Sequence, residues 1–402
     1  MLSLENYRDI VGVEVLGEIY RKARKLYGKH ILHINSTYHG GGVAEILNSL
    51  VPLMNDMGID AGWRTLHGNP DFFTITKKFH NALQGDSLNL TATKKRLYVQ
   101  ANEAFSTFTH IDHDCVIIHD PQPLPLIKFS RNRRPWIWRC HIDLSHPNRQ
   151  LWDFLTSFIL RYHLVVISSE NYKRNGFPVE QRIIQPAIDP LTAKNKELSD
   201  RDISKYLKKF GIKTDKPIIS QISRFDKWKD PEGVISIYKR VREKVDCRLV
   251  MSGGVATDDP EGPKIYERLH QKGGELIDKG DVVLIIPEND IFVNALQRKS
   301  AVVIQKSIRE GFCLAVTEAL WKGTPVVASN VGGIPLQIKD GENGFLVQPR
   351  DVKGFADRTI KLLQDPDLAK KMGEEATETV RKKFLITRLL IDYLDLLAEV
   401  IH

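Results

Sequence analysis

The stretch Pro217-Ile218-Ile219-Ser220-Gln221-Ile222-Ser223-Arg224-Phe225-Asp226-Lys227-Trp228-Lys229-Asp230-Pro231 reads as a complete strand-to-helix unit. A β-branched run, Pro217 to Ile222, ends in a polar loop. Asp230 then offers an N-cap and Pro231 a first helical position, after which Val234, Tyr238, Val241 and Val245 fall on one helical stripe. The same pattern recurs in both directions. Downstream lie strand-like runs at 248–252, 282–286, 301–304 and 325–328; upstream they lie at 30–35, 61–66, 115–119, 136–140 and 164–168. Strands alternating with helical segments imply parallel sheet covered on both faces. The polar stretch 192–216 separates the two series, so the expected class is α/β with two doubly wound, Rossmann-like domains, residues 1–190 and 191–385. The helical stretch Ile386 to Val400 is expected to pack back on the first. The segment Val43 to Met57 carries an apolar face of Ile46, Leu47, Leu50, Met54 and Met57 with Pro52 inside it, which predicts a kinked helix. Because ligands in open parallel sheets bind beyond the carboxyl ends of the strands, two such edges are expected to face one another across a deep cleft.

Composition narrows the class further. The chain has 402 residues, 42% hydrophobic and 27% charged, which is globular rather than disordered. No apolar run is long enough to span a membrane, and Glu5, Asp9, Glu14 and Glu18 occupy the region where a signal peptide would be uncharged, so a cytoplasmic protein with no membrane partner is expected. The net charge of +8 suits any polyanionic ligand, a nucleoside diphosphate as well as nucleic acid. The basic clusters Arg21 to Lys29 and Arg131, Arg133 and Arg134 read as solvated faces. No Lys/Arg stripe with interleaved aromatics is present, so nucleic acid is not an expected partner. Cys115, Cys140, Cys247 and Cys313 are too widely spaced for a zinc knuckle or a disulfide scaffold.

The chemistry-bearing residues follow strands. After the first comes Tyr38-His39-Gly40-Gly41-Gly42-Val43, glycines ending at a helix start, which serve either as an anion or sugar contact or as a plain flexible turn. The spacing is neither GxGxxG nor GxxxxGK[ST], which speaks against a dehydrogenase and a P-loop ATPase. Arg224, Lys227 and Lys229 stand on a loop where a fork and point charges can clamp a diphosphate, or where cations are simply solvated. Glu310-Gly311-Phe312-Cys313-Leu314-Ala315-Val316-Thr317-Glu318 places two glutamates across a strand-to-helix turn. Helix-start amides on phosphates, one carboxylate on ribose and one on a sugar ring would suit a nucleotide sugar; a surface glutamate pair is the alternative. The turn Val331-Gly332-Gly333-Ile334-Pro335 is expected to close the same edge.

These residues resemble a known family. Glu310 to Leu320, EGFCLAVTEAL, is similar to the E-x7-E signature of retaining GT-B glycosyltransferases of family 4, and Ser223 to Asp230, SRFDKWKD, resembles their Arg-x4-Lys clamp. The segment His119-Asp120-Pro121-Gln122-Pro123-Leu124-Pro125-Leu126, followed by His141, looks like the glucose-handling pair of trehalose-phosphate synthases. His39 to Gly68 looks like the opening of the trehalose synthase and trehalose phosphorylase group. The resemblance implies a GT-B fold and specific roles: Arg224 and Lys229 on the donor diphosphate, Glu310 on the donor glucose, Glu318 on the ribose, and backbone amides from Phe312, Cys313 and Leu314. Gly41 and Gly42 would approach the phosphate from the other domain, while Asp120 and His141 would orient the sugars. Cys313 departs from the family, where many members carry glycine. The implied activity is retaining transfer of glucose from a nucleoside diphosphate glucose to free glucose, giving α,α-trehalose, reversibly and without a cofactor or metal. The alternatives are a phosphorylase using inorganic phosphate, a sugar-nucleotide 2-epimerase on the same fold, and a nonenzymatic nucleic-acid-binding protein. The sequence leaves the donor base and a homo-oligomer open.

Overall fold

The computed structural model describes residues 2–130, 134–253 and 262–401. Its backbone contacts divide the chain into two units, residues 1–187 with 385–402, and residues 188–384.

The first unit holds a parallel sheet of β1 (His30–Asn35), β2 (Asp60–Thr65), β3 (Cys115–His119), β4 (Trp136–Arg139), β5 (Leu164–Ile167) and β6 (Glu180–Ile183), in the spatial order β2-β1-β3-β4-β5-β6. Strands β3, β4 and β5 are buried along their whole length, as parallel strands covered on both faces must be. Alternation divides their side chains. Leu32 and Ile34, Val116 and Ile118, and Trp136 and Trp138 enter one core with Phe72, Phe79, Tyr98 and Phe158. The opposite face carries His33, His119 and Arg139, all buried.

That polar face belongs to the side covered by terminal helices. The last helix, Ile386–Val400, packs against Arg8–Ala23 and Gly42–Asp56. Ile386, Leu389, Leu390, Tyr393, Leu394 and Leu397 recur at three- and four-residue intervals and are buried. Arg388 anchors the helix by donating to the carbonyls of Gln185 (2.9 Å) and Pro186 (3.0 Å), and Lys22 pairs with Asp395 at 2.5 Å. The helix Gly42–Asp56 runs continuously with Pro52 inside it. Arg134 of the basic group pairs with Asp114, while Arg131 and Arg133 lie outside the described residues.

The second unit is built from β7 (Ile218–Ile222), β8 (Arg248–Ser252), β9 (Val282–Ile285), β10 (Ser300–Gln305), β11 (Val326–Ser329) and β12 (Phe345–Val347). They are parallel, in the order β12-β11-β10-β7-β8-β9. Numbered within the unit this is 3-2-1-4-5-6, the doubly wound dinucleotide-fold order. The polar stretch before β7 contains a helix, Asp200–Lys209, capped by the Ser199 side chain. The helix Pro231–Val241 ends a turn before Val245, because Tyr238 Oη donates to the Cys247 carbonyl (2.9 Å) and draws the chain back toward β8.

Two strands, β6 and β12, lie beyond those expected from the sequence. All four cysteines are buried and free, and among the described residues no helix is long and apolar enough to cross a membrane. Leu394 is fully buried, so Leu394→Ala should destabilise the first unit by about 2–5 kcal/mol. A denaturant titration that leaves the midpoint unchanged would refute the packing role of the last helix.

Candidate active site

In the second unit the strand order reverses between β7 and β10, so the loops following them turn to opposite faces and open a crevice at their carboxyl ends. The residues singled out on these loops meet there. Beyond β7, Asp226 Oδ1 accepts the backbone N–H of Trp228 (2.9 Å) and of Lys229 (3.2 Å), folding Lys227–Lys229 into a single 3-10 turn. The turn points its two lysines differently. Lys227 lies over the Trp228 ring, 4.9 Å from the centroid, whereas the Lys229 ammonium makes an ion pair with Glu310. Arg224 stays partly exposed, with Nη2 3.8 Å from Asp226 Oδ2.

Glu310 comes from the loop after β10 and is largely buried. Its Oε2 accepts the Ser307 hydroxyl at 3.1 Å as well as the Lys229 ammonium. Burial opposes the charge on Lys229, yet Glu310, with Cys313 and Asp226 behind it, raises the ammonium above its usual range. Burial first, then Glu310, likewise pushes the Cys313 thiol up. The N–H of Ile308 donates to the Trp228 carbonyl at 2.7 Å and ties the two loops together.

The helix Leu314–Trp321 begins directly after this loop; the Val316 N–H donates to the Cys313 carbonyl at 3.1 Å, while the Leu314 and Ala315 amides have no intrahelical acceptor. Cys313 takes the N-cap in the left-handed region, φ 77° and ψ 79°. The glycine turn after β11 closes on the same loop: a Cβ at Gly333 would stand 2.6 Å from the Gly311 carbonyl oxygen and 2.8 Å from Phe312 Cα, so only glycine fits. Gln337 locks the approach, donating to the Phe312 carbonyl at 2.5 Å and accepting from Thr317 Oγ1 at 2.6 Å. Glu318 is separate from this cluster. It is buried one turn into the helix and accepts from Gln297 Nε2 at 3.0 Å. Burial lowers the neighbouring Lys322 to about 7, against the opposing pull of Glu318.

In the first unit the reversal falls between β1 and β3. The loop after β1 has φ +76° at Gly40 and +154° at Gly41, and a Cβ at either would meet nothing; backbone conformation rather than crowding demands glycine there. Gly41 is the N-cap and Gly42 the first residue of the following helix. After β3, Asp120 also adopts positive φ, 62°. Its Oδ1 accepts the backbone N–H of His141 at 2.7 Å, and its carbonyl accepts Trp138 Nε1 at 3.0 Å, so the predicted pair Asp120 and His141 is joined directly. His141 in turn contacts His119, which contacts His33, both 3.0 Å apart between ring nitrogens. Ser307, Gln337, His33 and the His119 ring belong to no motif legible in the sequence; for the histidines the one signal is a polar residue inside the otherwise apolar runs HILHIN and CVIIH.

Residues 33–174 match the family described as "Trehalose synthase, N-terminal domain", and residues 202–379 match "Glycosyl transferases group 1". A trehalose synthase of Thermococcus litoralis is 48% identical over 398 residues, covering 98% of this chain and 96% of that protein. The chain belongs to the trehalose synthase family. It is a trehalose-related glycosyltransferase of the GT-B fold, which places the GT-B expectation on solid ground. A trehalose phosphorylase of Pleurotus pulmonarius is 30% identical over 430 residues, covering 93% of this chain but 58% of that longer protein. Among solved structures, an α,α-trehalose-phosphate synthase from Burkholderia xenovorans, in complex with glucose-6-phosphate, matches with TM-score 0.73 at 13% identity, covering 92% of this chain and 99% of that one.

Burial drives the Asp120 carboxyl up to about 6, although the His141 backbone N–H and the Arg139 charge pull it down. The folded protein therefore holds a proton that the unfolded chain, with an ordinary value of about 4, releases earlier. Stability contributed by this group is present at low pH and lost as pH rises through about 6. Asp120→Asn should remove that loss, so the melting temperature of the variant relative to the parent should rise between about pH 4 and about pH 7. An offset that is equal at both pH values would contradict the assignment.

Proposed function

We propose that this enzyme transfers glucose from a nucleoside diphosphate glucose to free glucose, forming α,α-trehalose with retention at the anomeric carbon, in a reversible reaction. The observation that carries the proposal is the pairing of Lys229 with Glu310 where β7 and β10 diverge, because it joins a diphosphate cation to a sugar-holding carboxylate at one point. Arg224 and Lys229 neutralise the leaving diphosphate, aided by the amides of Phe312, Cys313 and Leu314. Glu310 holds the donor glucose, Glu318 serves the ribose, and Gly41 and Gly42 let backbone approach the phosphate. Asp120 and His141 orient the sugars.

Retention ordinarily suggests a carboxylate nucleophile paired with an acid, as in retaining glycosidases. The state of the carboxylates favours a different path. Glu310 is already engaged by Lys229 and Ser307, and Glu318 by Gln297, so neither is a free nucleophile. In the same-face path the bond from C1 to the phosphate oxygen breaks as the acceptor hydroxyl oxygen bonds to C1. The hydroxyl proton passes to the departing phosphate. The protein supplies positioning and electrostatic stabilisation of an oxocarbenium-like state.

Incubation with a panel of nucleoside diphosphate glucoses and free glucose, with identification of the disaccharide, tests the activity. Release of nucleoside diphosphate and trehalose is expected, with glucose outcompeting glucose 6-phosphate. Dependence on inorganic phosphate instead would move the assignment to the phosphorylase reaction, and preference for the phosphorylated acceptor would move it to the trehalose-phosphate synthase reaction. Since charge grows on the diphosphate as the bond breaks, Arg224→Ala should lower kcat by roughly 10²–10³-fold. A change confined to donor KM would limit Arg224 to binding, and a competent glucosyl adduct on Glu310, Glu318 or Asp120 by intact mass would overturn the same-face path.

A further inference from the structure

Three histidines of the first unit form a single hydrogen-bonded file. The strand register pairs His33 with Ile117 and His119 with Arg139, and His141 lies two residues past Arg139. Each histidine is therefore one strand over and two residues further along than the last, a diagonal on one face of the sheet. His33 Nδ1 meets His119 Nε2, and His119 Nδ1 meets His141 Nε2, each at 3.0 Å. The rings are nearly parallel, with centroids 5.3 and 5.4 Å apart. The file begins at a fully buried residue and ends at the partly buried His141, whose Nδ1 is its outer terminus.

Burial keeps all three rings neutral: it lowers His33 to about 3 and, with the Arg139 charge nearby, holds His119 and His141 well below their usual value. A neutral imidazole has one donor and one acceptor nitrogen. Two bonds in single file then admit only two arrangements. In one, every proton sits on Nδ1, His33 donates to His119, His119 donates to His141, and His141 presents Nδ1–H outward. In the other, every proton sits on Nε2, the bonds run inward, and His141 presents a lone pair.

The inner end decides between them. His33 Nε2 is buried and has no hydrogen-bond partner. In the first arrangement that atom is an unused lone pair. In the second it is an orphaned N–H facing, at best, the Tyr393 ring, whose centroid is 6.1 Å from that of His33. Buried orphan N–H groups are rarer than unused acceptors, and a ring face is a weak substitute. We infer that His119, backed by His33, is a positioning residue that fixes His141 as an Nδ1–H donor toward the sugar. This rests on the proposed sugar-orienting role of His141. A hydroxyl that accepts from His141 must then give its own proton elsewhere, so the tautomer selects one orientation of the bound ring.

The full chain, labelled with ¹⁵N at histidine and free of substrate, allows a direct test, since long-range ¹H–¹⁵N correlations distinguish the two tautomers. His141, identified by the signal lost in His141→Gln, should carry its proton on Nδ1. His119→Asn, which keeps an amide donor near the former Nδ1 position, should preserve that state. His119→Leu should lose it and lower kcat/KM for glucosyl transfer about tenfold, the effect of one hydrogen bond to the sugar. Where leucine does not fold, His119→Phe fills the ring volume without nitrogens and serves the same comparison. A proton on Nε2 of His141 in the unsubstituted chain, or a tautomer indifferent to the loss of His119, would overturn the inference. If the tautomer shifts as expected while transfer is unchanged in both His119→Leu and His141→Gln, the relay stands and the sugar-orienting role of His141 falls.

Discussion

Crossovers between parallel strands are right-handed, so a sheet wound first in one direction and then in the other contains a pair of neighbouring strands whose loops leave for opposite faces. Neither following helix covers that gap. In the second unit the pair is β7 and β10, and in the first it is β1 and β3. The candidate site residues are distributed accordingly: Arg224 and Lys229 follow β7, Glu310 follows β10, Gly41 and Gly42 follow β1, and Asp120 follows β3. Backbone strain collects at these loops too. Among the described residues the non-glycine positions with positive φ are Asp120, Asp230 and Cys313, one after each of β3, β7 and β10. Strained conformations persist only where surrounding contacts over-determine them. Here the contacts are visible: the His141 N–H on Asp120, the Gly233 N–H and the Lys306 ammonium on Asp230, and Gln337 and Glu310 around Cys313.

The second unit spends burial on charge. The side chains of Lys229 and Glu310 are 15% and 11% exposed, and that of Lys306, paired with Asp230, is 3% exposed. Such pairs do not outperform apolar packing as stabilisers, because the desolvation of two ions offsets their attraction. Their value is positional. Lys306 fixes Asp230, which caps the helix after the β7 loop, and a Cβ at Gly233 would displace this pair, since it would come within 2.4 Å of the Asp230 carboxylate and 2.7 Å of the Lys306 ammonium. On the proposed function, the Lys229–Glu310 pair keeps both charges preorganised for a ligand that carries a diphosphate at one end and a sugar at the other.

How far the sequence was legible follows the same physics. Strands buried on both faces announce themselves as apolar runs, and β1, β3, β5, β7 and β8 were readable for that reason. β6, with the sequence EQRI at the sheet edge, has its first residue exposed and carries no apolar pattern; β12 has only three residues. The helix Asp200–Lys209 hid in a stretch that reads as a polar divider, since Leu207 is its sole buried side chain. Motif residues on the loops were found because helix caps and cations have local signatures. The contacts that tune them come mostly from distant segments: Lys229 on Glu310, Gln337 across to Phe312, and His33 and His119 behind His141. No spacing rule links positions 33, 119 and 141; only the strand order β1-β3-β4 places them on a diagonal.

Cys313 shows why a departure from a family pattern has to be read in its surroundings. Its φ of 77° is a conformation that glycine adopts freely and that costs an L-residue roughly 1–2 kcal/mol, so a glycine there would fold with less strain. Glycine has no side chain, however, whereas the Cys313 thiol is buried and is pushed up by burial first and then by the Glu310 charge. Glu310 itself receives an ammonium from Lys229 and a hydroxyl from Ser307. Each added donor narrows the rotation of the carboxylate and stabilises its charge. Cys313 therefore adds a buried side chain beside that carboxylate, and the strain at residue 313 is the local cost of having one there.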